Sequence, residues 1–494
     1  MRKIVVSVTY AIVLVLASAL IISTYAAFIA TVTISSSGSI TSLSCLCTNS
    51  TQILDSNNNT VNLKGVGMFG NAPDNIFWAS DQFDGWGDQW QTGASLNESL
   101  EQTFADLQSV WGVNMVRLFF YPEWWWQGNV TPANVDPSSF GSYTTSINVR
   151  QYCQIVTQIA GYYGIYVDWC PYQLTAQTGS YDTDPYMSNG GGVPMTGTWD
   201  TNQTAFITST GLTEPQFWSA FWGNFSSSLN NYPNAIFEAW NEPADQNINP
   251  NNITAGYLSY LTTMYSAIRS TGSTNLIFMQ YQVGWEPNGW GMNLSWASQI
   301  ATAIGNPTNL VFTTHIYYYS PSDLTQYWDS NGLDSDAGGI PYTEAQLATI
   351  FTNLQSSMGV SAPLMFNEAG DCSYYATNIT NDYVWWNNFC QASNADDIGV
   401  GAYYFARNNS AGGIGGVNLG LISTPPYTPS IFGQEFIFDV LPFPTVNSVY
   451  GNPTASGTVA QGGSYATSVT SPFPYRLVRA KAHVYFLIED RQDS

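Results

Sequence analysis

Residues 235–243 read AIFEAWNEP, an apolar run that holds two carboxylates, Glu238 and Glu242, four positions apart. Residues 235–240 have the β-branched and aromatic composition of a buried strand. Only 9% of the residues in the chain are Asp, Glu, Lys or Arg, and burying a carboxylate is unfavourable unless it is paired. The stretch therefore predicts a buried strand that carries either a structural ion network or a chemical site.

Seven further segments have the same strand character, and longer segments with helical spacing of apolar residues separate them. The eight predicted strands begin at Val61, Val113, Gly164, Ala235, Asn275, Leu310, Pro363 and Gly399. Predicted helices include those that begin at Leu96, Val149, Pro215, Tyr257 and Glu344. Parallel strands need crossover helices and eight of them close a barrel, so the pattern predicts a (β/α)8 TIM barrel with extended loops. An open, doubly wound sheet is the alternative.

The N-terminal region has the features of an export signal. A short basic segment precedes an almost unbroken apolar stretch from Ile4 to about Ala30. Residues 1–32 are therefore interpreted as a signal peptide, or as an uncleaved anchor, since the stretch is long enough to span a bilayer. Composition then predicts a Ser/Thr-rich linker over 33–52, the barrel over 53–445, and a tail of unassigned role over 446–494. We expect a secreted protein or one anchored at the cell surface.

The charge and the cysteines limit the partners. With 34 acidic and 11 basic residues, the formal net charge is −23 at pH 7, so nucleic acid, anionic lipid and acidic polysaccharides are disfavoured. We expect a monomer that binds a neutral polymer. Six cysteines and ten Asn-x-Ser/Thr sequons fit an exported glycoprotein with disulfides, Cys372–Cys390 being the first candidate pair. With two histidines and no Cys-x-x-Cys motif, the chain offers few residues that could bind a metal ion. No cofactor is expected.

Few polar residues end the predicted strands, where a barrel of this kind carries its site. The set comprises Arg117 on the second strand, Asn241 and Glu242 on the fourth, His315 and Tyr317 on the sixth, and Asn367 and Glu368 on the seventh. A buried guanidinium needs a carboxylate, so we expect Arg117 to pair with Glu242 or Glu368. Glu238 has the strand parity of Glu242 and is assigned to a structural network, and Asp168 receives no role.

Glu242 and Glu368 are predicted to face each other across the barrel mouth. Glycosidic bond cleavage requires two such carboxyl groups, one protonated and one ionised. Arg117 beside Glu368 would keep that group charged, while burial and the nearby negative charge would keep Glu242 protonated. The pair therefore predicts a glycosidase.

The motifs FEAWNEP, HIYYY and MFNEAG resemble those of glycoside hydrolase family 5, whose members are retaining (β/α)8 glycosidases, over about residues 53–445. The resemblance implies that Glu242 is the general acid/base and Glu368 the nucleophile. It also implies that Asn241 holds the sugar 2-hydroxyl and that Arg117 orients the nucleophile.

The resemblance further maps the His-x-Tyr pair of the family onto His315 and Tyr317, with Tyr317 hydrogen-bonded to Glu368. Two positions depart from the family pattern. The third strand offers Cys170 or Tyr172, depending on register, where the family usually has His. The eighth strand offers aromatic residues such as Tyr404 where the family usually has Trp.

Aromatic residues predict how the polymer is bound. Trp124 and Trp285 follow the second and fifth predicted strands, in predicted loops at the catalytic end (residues 122–127 in the first case), where their rings would be platforms for sugar faces. We expect a retaining endo-β-1,4-glycanase that hydrolyses cellulose or soluble β-glucan. The alternatives are an endo-β-1,4-mannanase of the same family and a non-catalytic polysaccharide-binding surface protein. The scarcity of Lys and Arg further predicts activity that extends to acidic pH.

Overall fold

Eight parallel strands close into a barrel in the computed structural model of the chain. In chain order they are β1 Lys64–Asn71, β2 Met115–Phe120, β3 Tyr166–Pro171, β4 Ala235–Glu238, β5 Ile277–Met279, β6 Leu310–Tyr318, β7 Leu364–Asp371 and β8 Gly399–Tyr403. Each strand pairs with its neighbours in the chain, and β8 pairs with β1. The (β/α)8 prediction is confirmed, and the open doubly wound sheet is wrong because the last strand closes onto the first.

The structure describes thirteen parts of the chain. They are residues 43–71, 96–120, 122–130, 147–171, 206–241, 253, 255–281, 294–305, 307–318, 342–371, 379–403, 422–424 and 428–429. The predicted signal or anchor, the start of the predicted linker and the C-terminal tail lie outside these residues. Within the described parts, no helix is both long and apolar enough to cross a membrane.

Helices separate the strands along the chain. They are α1 Leu96–Asp106, α2 Pro122–Gln127, α3 Val149–Tyr162, α4 Glu214–Leu229, α5 Ala255–Ser270, α6 Trp296–Ile304, α7 Glu344–Ser357 and α8 Ile379–Ala395. Local sequence explains where several begin. Before α7, for example, the Thr343 side chain accepts a hydrogen bond from the Gln346 backbone, and the Gln346 side chain accepts one from the Thr343 backbone. This reciprocal pair satisfies donors that a helix start leaves unpaired.

Large aromatic side chains fill the layer between the barrel and its helices. Nine tryptophans are almost fully buried: Trp111, Trp125, Trp169, Trp218, Trp222, Trp240, Trp296, Trp385 and Trp386. Much of the aromatic content therefore packs the core, and it is weaker support for sugar binding than the sequence indicated. Residues 122–127, expected to be a loop, form helix α2, and the Trp125 ring packs edge-on against Phe225 at 4.6 Å between centroids.

A short hairpin closes the N-terminal end of the barrel. Its strands, Cys47–Asn49 and Gln52–Leu54, pair antiparallel, and Leu46 and Ile53 pack against the residues that begin β2 and β3. Asn309 accepts a hydrogen bond from the Thr48 backbone and donates its own backbone N–H to the Thr48 hydroxyl. The described hairpin thus begins before the predicted start of the barrel at residue 53, and the domain boundaries stay predictions. Residues 43–52 have a linker-like composition but belong to the fold, because Leu46 is buried in it.

Four of the six cysteines are free thiols in the structure. Cys45 is exposed and Cys47 half-buried in the hairpin, while Cys153 and Cys170 are buried. Cys372 lies outside the described residues, so its predicted pairing with Cys390 stays a prediction.

Candidate active site

Arg117 on β2 is the centre of a buried polar cluster at the barrel interior. Its Nε and Nη2 donate to the two oxygens of Glu238 at 2.7 and 2.8 Å. Nη2 also donates to Asn241 Oδ1 at 2.9 Å and to Cys170 Sγ at 3.3 Å, and Nη1 donates to Glu368 Oε2. One guanidinium thus connects strands β3, β4 and β7, which fixes its orientation.

The partners of Arg117 differ in part from those predicted. The pairing with Glu368 is present, but Glu238, which we had assigned to a structural network, binds both Nε and Nη2. Strand parity correctly places Glu238 in the interior. Strand parity could not predict that Glu238, and not Glu368, binds two nitrogens of Arg117, because that choice depends on how the strands tilt around the closed barrel.

The ionisable groups of the cluster have pKa values shifted in different directions. Burial alone would raise the pKa of Glu238, but the charge of Arg117 and its hydrogen bonds lower it below the usual value. Burial and the negative charge of Glu238 raise the pKa of Asp168 well above its ordinary value, against the opposing effect of Arg117. Burial disfavours the Arg117 cation, but Cys170, Glu238 and Glu368 together raise its pKa. Arg117 and Glu238 therefore form an ion pair, and the surroundings of Asp168 favour its protonated form.

The residue before Glu368 is held by the same cluster. Asn367 on β7 donates from Nδ2 to Glu238 Oε1 at 2.9 Å. Gly401 on β8 allows the close approach of its strand, because a Cβ at that position would lie 2.3 Å from the Asn367 carbonyl oxygen. Glu238 and Gly401 together therefore define the position of the Asn367–Glu368 peptide at the strand end.

His315 on β6 lies beside Glu368 in the strand register. Its Nδ1 is 3.5 Å from Glu368 Oε1. Burial, with a contribution from Arg117, lowers the pKa of His315 to about 4, although Glu368 opposes the shift. His315 is therefore a neutral imidazole across mildly acidic and neutral pH. Tyr317 follows on the same strand, in register with Gly370; its side chain is outside the described set, so its predicted bond to Glu368 stays a prediction.

Glu368 differs from the other carboxyl groups of the cluster in its access to solvent. Its side chain is 7% exposed, whereas Asp168 and Glu238 are at 0%. It also lies near the C-terminal end of β7, where a barrel presents its active site. Of the three described carboxyl groups in the cluster, Glu368 is the most exposed to solvent.

Comparison with known proteins identifies the family. The model of the cellulase family, glycosyl hydrolase family 5, matches residues 54–409. The chain belongs to glycoside hydrolase family 5. The protein is accordingly a glycoside hydrolase. The motif resemblance seen in the sequence is confirmed. No curated protein matches the sequence.

Solved structures of other proteins resemble the fold of this chain. The catalytic domain of the major endoglucanase from Xanthomonas campestris pv. campestris has a TM-score of 0.52 and 17% identity, covering 80% of this chain and 99% of that chain. A beta-glucanase from Saccharophagus degradans has a TM-score of 0.50 and 14% identity, covering 81% and 94%. A mannanase catalytic domain from Streptomyces sp. SirexAA-E scores 0.47 at 14% identity, covering 81% and 91%. The two likenesses with TM-scores of 0.50 or more show the fold alone.

Several of the predicted site residues lie outside the described residues. They are Glu242, Trp285 and Tyr404, together with the side chain of Trp124. Their roles stay predictions. Asn241, directly before Glu242, is described, and its bond to Arg117 places the end of β4 next to the cluster.

Two residues of β3, Cys170 and Asp168, lie in the cluster although neither received a definite role from the sequence. Cys170 contacts Arg117 and is fully buried, whereas Tyr172 lies outside the described residues, so the choice between the two stays open. Asp168, to which no role was assigned, lies in register with Arg117. Its parity with Cys170, two residues later, was the signal that both side chains would share the interior. Over the described part of the chain, no group of three or more His, Cys, Asp or Glu residues is arranged to hold a metal ion.

Proposed function

We propose that the protein is a retaining endo-β-1,4-glycanase that hydrolyses cellulose or soluble β-glucan. One observation carries the proposal: Glu368 is bound by Arg117, and it is more exposed than Asp168 and Glu238 at the barrel mouth. An ion-paired carboxylate that keeps some access to solvent suits a nucleophile, since the pair stabilises the ionised form.

The proposed mechanism is a double displacement. Glu368 attacks the anomeric carbon while Glu242 donates a proton to the leaving oxygen, which breaks the glycosidic bond and forms a glycosyl ester on Glu368. Glu242 then takes a proton from water, which attacks the anomeric carbon and releases the sugar with retained configuration. Arg117 orients Glu368 in both steps, and Asn241 would hold the sugar 2-hydroxyl.

Charge and fold support a neutral β-linked polymer as the substrate. The formal net charge of −23 disfavours acidic polysaccharides. Two solved structures with TM-scores of 0.50 or more are named as a beta-glucanase and an endoglucanase, which favours glucan as the first substrate to test. The N-terminal basic and apolar segment supports export, with the protein secreted or held at the cell surface.

Reducing-end release by the full chain on carboxymethyl-cellulose, glucomannan and galactomannan tests the function. We expect cleavage of the cellulose derivative, and its loss in both Glu368→Gln and Glu242→Gln. Glu101→Gln, an exposed change on α1, is the matched control and should retain activity. Cleavage of the mannans alone would instead identify a mannanase. Absence of cleavage with binding retained would support a non-catalytic polysaccharide-binding protein.

Proton NMR of the first product tests the stereochemistry. A retaining enzyme releases the β-anomer before mutarotation, whereas an inverting enzyme releases the α-anomer. Initial formation of the α-anomer would rule out Glu368 as a nucleophile and require a water molecule between the two carboxyl groups.

A further inference from the structure

Asp168 is a fully buried carboxyl group that the proposed mechanism does not use. It lies on β3 in register with Arg117. Among the described residues, neither of its oxygens receives a hydrogen bond. The Nε atom of Arg117 is 3.9 Å from Asp168 Oδ2, but it donates to Glu238 at 2.7 Å. An ionised Asp168 would therefore be a buried charge without a donor, which is strongly unfavourable.

The neighbours of Asp168 favour a proton on this group. The described titratable and charged groups around it are Arg117 from β2, Cys170 from β3, Glu238 from β4, His315 from β6 and Glu368 from β7. Burial and the negative charge of Glu238 raise the pKa of Asp168, whereas Arg117 keeps that of Glu238 low. Asp168 pairs in register with Ile236 on β4, two residues before Glu238, so both carboxyl groups face the barrel interior from neighbouring strands. A hydrogen bond between them requires a proton on one of them.

We propose that Asp168 is a positioning residue that keeps a proton and donates a hydrogen bond to Glu238. The positive charge of Arg117 then pairs with Glu238 and Glu368. The shared proton supplies the hydrogen bond that Asp168 otherwise lacks. It also removes a third negative charge that would compete for the guanidinium. The effect of Asp168 on catalysis rests on the proposed function, whereas the protonation of Asp168 does not.

The effect on catalysis follows from the geometry of Arg117. An ionised Asp168 would attract Nε, which is already 3.9 Å away, and would weaken the two bonds to Glu238. Because Nη1 of the same rigid plane holds Glu368, any rotation of the guanidinium would move the nucleophile. A protonated Asp168 thus maintains the orientation of Glu368 through Glu238 and Arg117, without contact with substrate.

Infrared spectroscopy of the full chain at neutral pH tests the proton directly. A buried protonated carboxyl group has a carbonyl stretch that is separate from the carboxylate bands. We expect Asp168→Asn to remove one such band, and the exposed control Glu101→Gln to remove none. Retention of every band in Asp168→Asn would overturn the proposal. This readout needs no substrate, so it decides the protonation even where no glycan is cleaved.

Rescue by the conservative variant tests the positioning role. An Asn at position 168 can donate a hydrogen bond to Glu238 as the protonated acid does, whereas Leu cannot. We expect Asp168→Leu to lower kcat about 100-fold with KM within about threefold, and Asp168→Asn to lower kcat less than about tenfold. Equal losses in the two variants would overturn the proposal. If Asp168→Leu does not fold, a loss in Asp168→Asn above about 100-fold would overturn it.

Discussion

Arg117 binds Glu238 through two nitrogens, with Nε at 2.7 Å and Nη2 at 2.8 Å from the carboxylate oxygens, and its third nitrogen holds Glu368. This bidentate pair explains why the side chain of Glu368 has a fixed direction. The planar guanidinium cannot turn towards one carboxylate without losing the other. Glu238 is thus as important for the orientation of Glu368 as Arg117 itself.

Arg117→Lys is expected to damage both activity and stability. Lysine has one nitrogen and cannot bind Glu238 and Glu368 at the same positions, so kcat should fall at least about 100-fold. The weakened buried pair should lower the free energy of unfolding by about 3 kcal/mol. Steady-state kinetics and urea unfolding measure the two effects. Arg150→Lys, an exposed change on α3, should cost less than about 1 kcal/mol and leave kcat unchanged. Full activity of Arg117→Lys would show that Arg117 does not orient the nucleophile.

Protonation of His315 should begin only in strongly acidic solution. Burial lowers its pKa from 6.5 to about 4, so the folded protein resists the proton that the unfolded chain accepts. The stability gained from a neutral His315 is therefore present above pH 6.5 and is lost as the pH falls through about 4, up to about 3 kcal/mol. NMR of labelled histidines can follow this, since the chain has two. Titration of His315 near its ordinary value would contradict the buried, neutral state.

The lowered pKa of His315 also predicts the pH range over which the protein should be active. Because His315 stays neutral down to pH about 4, the charge pattern around Glu368 should be constant above that value. We expect hydrolysis to extend into this acidic range, in line with the scarcity of basic residues. A pH profile of kcat/KM measures it, and an optimum confined to neutral or alkaline pH would contradict the expectation.

Gly401→Ala is expected to destabilise the site end of β8. The new Cβ would lie 2.3 Å from the Asn367 carbonyl oxygen, so the strands must separate and Glu368 must move. We expect a loss of about 2 kcal/mol in the free energy of unfolding and at least a tenfold loss in kcat. Gly223→Ala on α4 is the matched control, because a Cβ there has nothing within 4 Å. It should stabilise the helix by about 0.5–1 kcal/mol.

The hairpin at the N-terminal end should contribute to stability and not to chemistry. Leu46 is 3% exposed and packs against the first residues of the barrel strands. Leu46→Ala should lower the free energy of unfolding by about 2–4 kcal/mol, with kcat unchanged below the unfolding temperature. Cys45→Ala, the exposed neighbour, should have almost no effect. Equal stability of Leu46→Ala and the wild type would mean that the hairpin does not close the barrel in solution.

Much of this architecture could be predicted from the sequence. Runs of β-branched and aromatic residues indicate all eight strands, because each strand is buried on both faces and its pattern is nearly continuous. Strand parity places Glu238 inside the barrel, and the positions of Arg117 and Glu368 on their strands place both at the site. Asn241 and His315 followed from motif order along the strands.

Other features depend on tertiary geometry that a linear pattern does not contain. The choice of Glu238 as a bidentate partner of Arg117 depends on the tilt of strands around the barrel. The hairpin was missed because Ser and Thr dominate its composition, and the burial of Leu46 and Ile53 arises from long-range packing. The expected loop at residues 122–127 was wrong because tertiary packing of Trp125 stabilises a short helix there.

The Arg117 cluster joins segments that are far apart in the chain. Its partners Cys170, Glu238, Asn241 and Glu368 lie 53, 121, 124 and 251 residues away. During synthesis Arg117 can meet Glu238 long before the segment with Glu368 has emerged, and the last contact must wait for loop closure over half the chain. Enzymatic turnover is consequently a late event of folding, and recovery of activity during refolding would report completion of the barrel more stringently than recovery of helical signal.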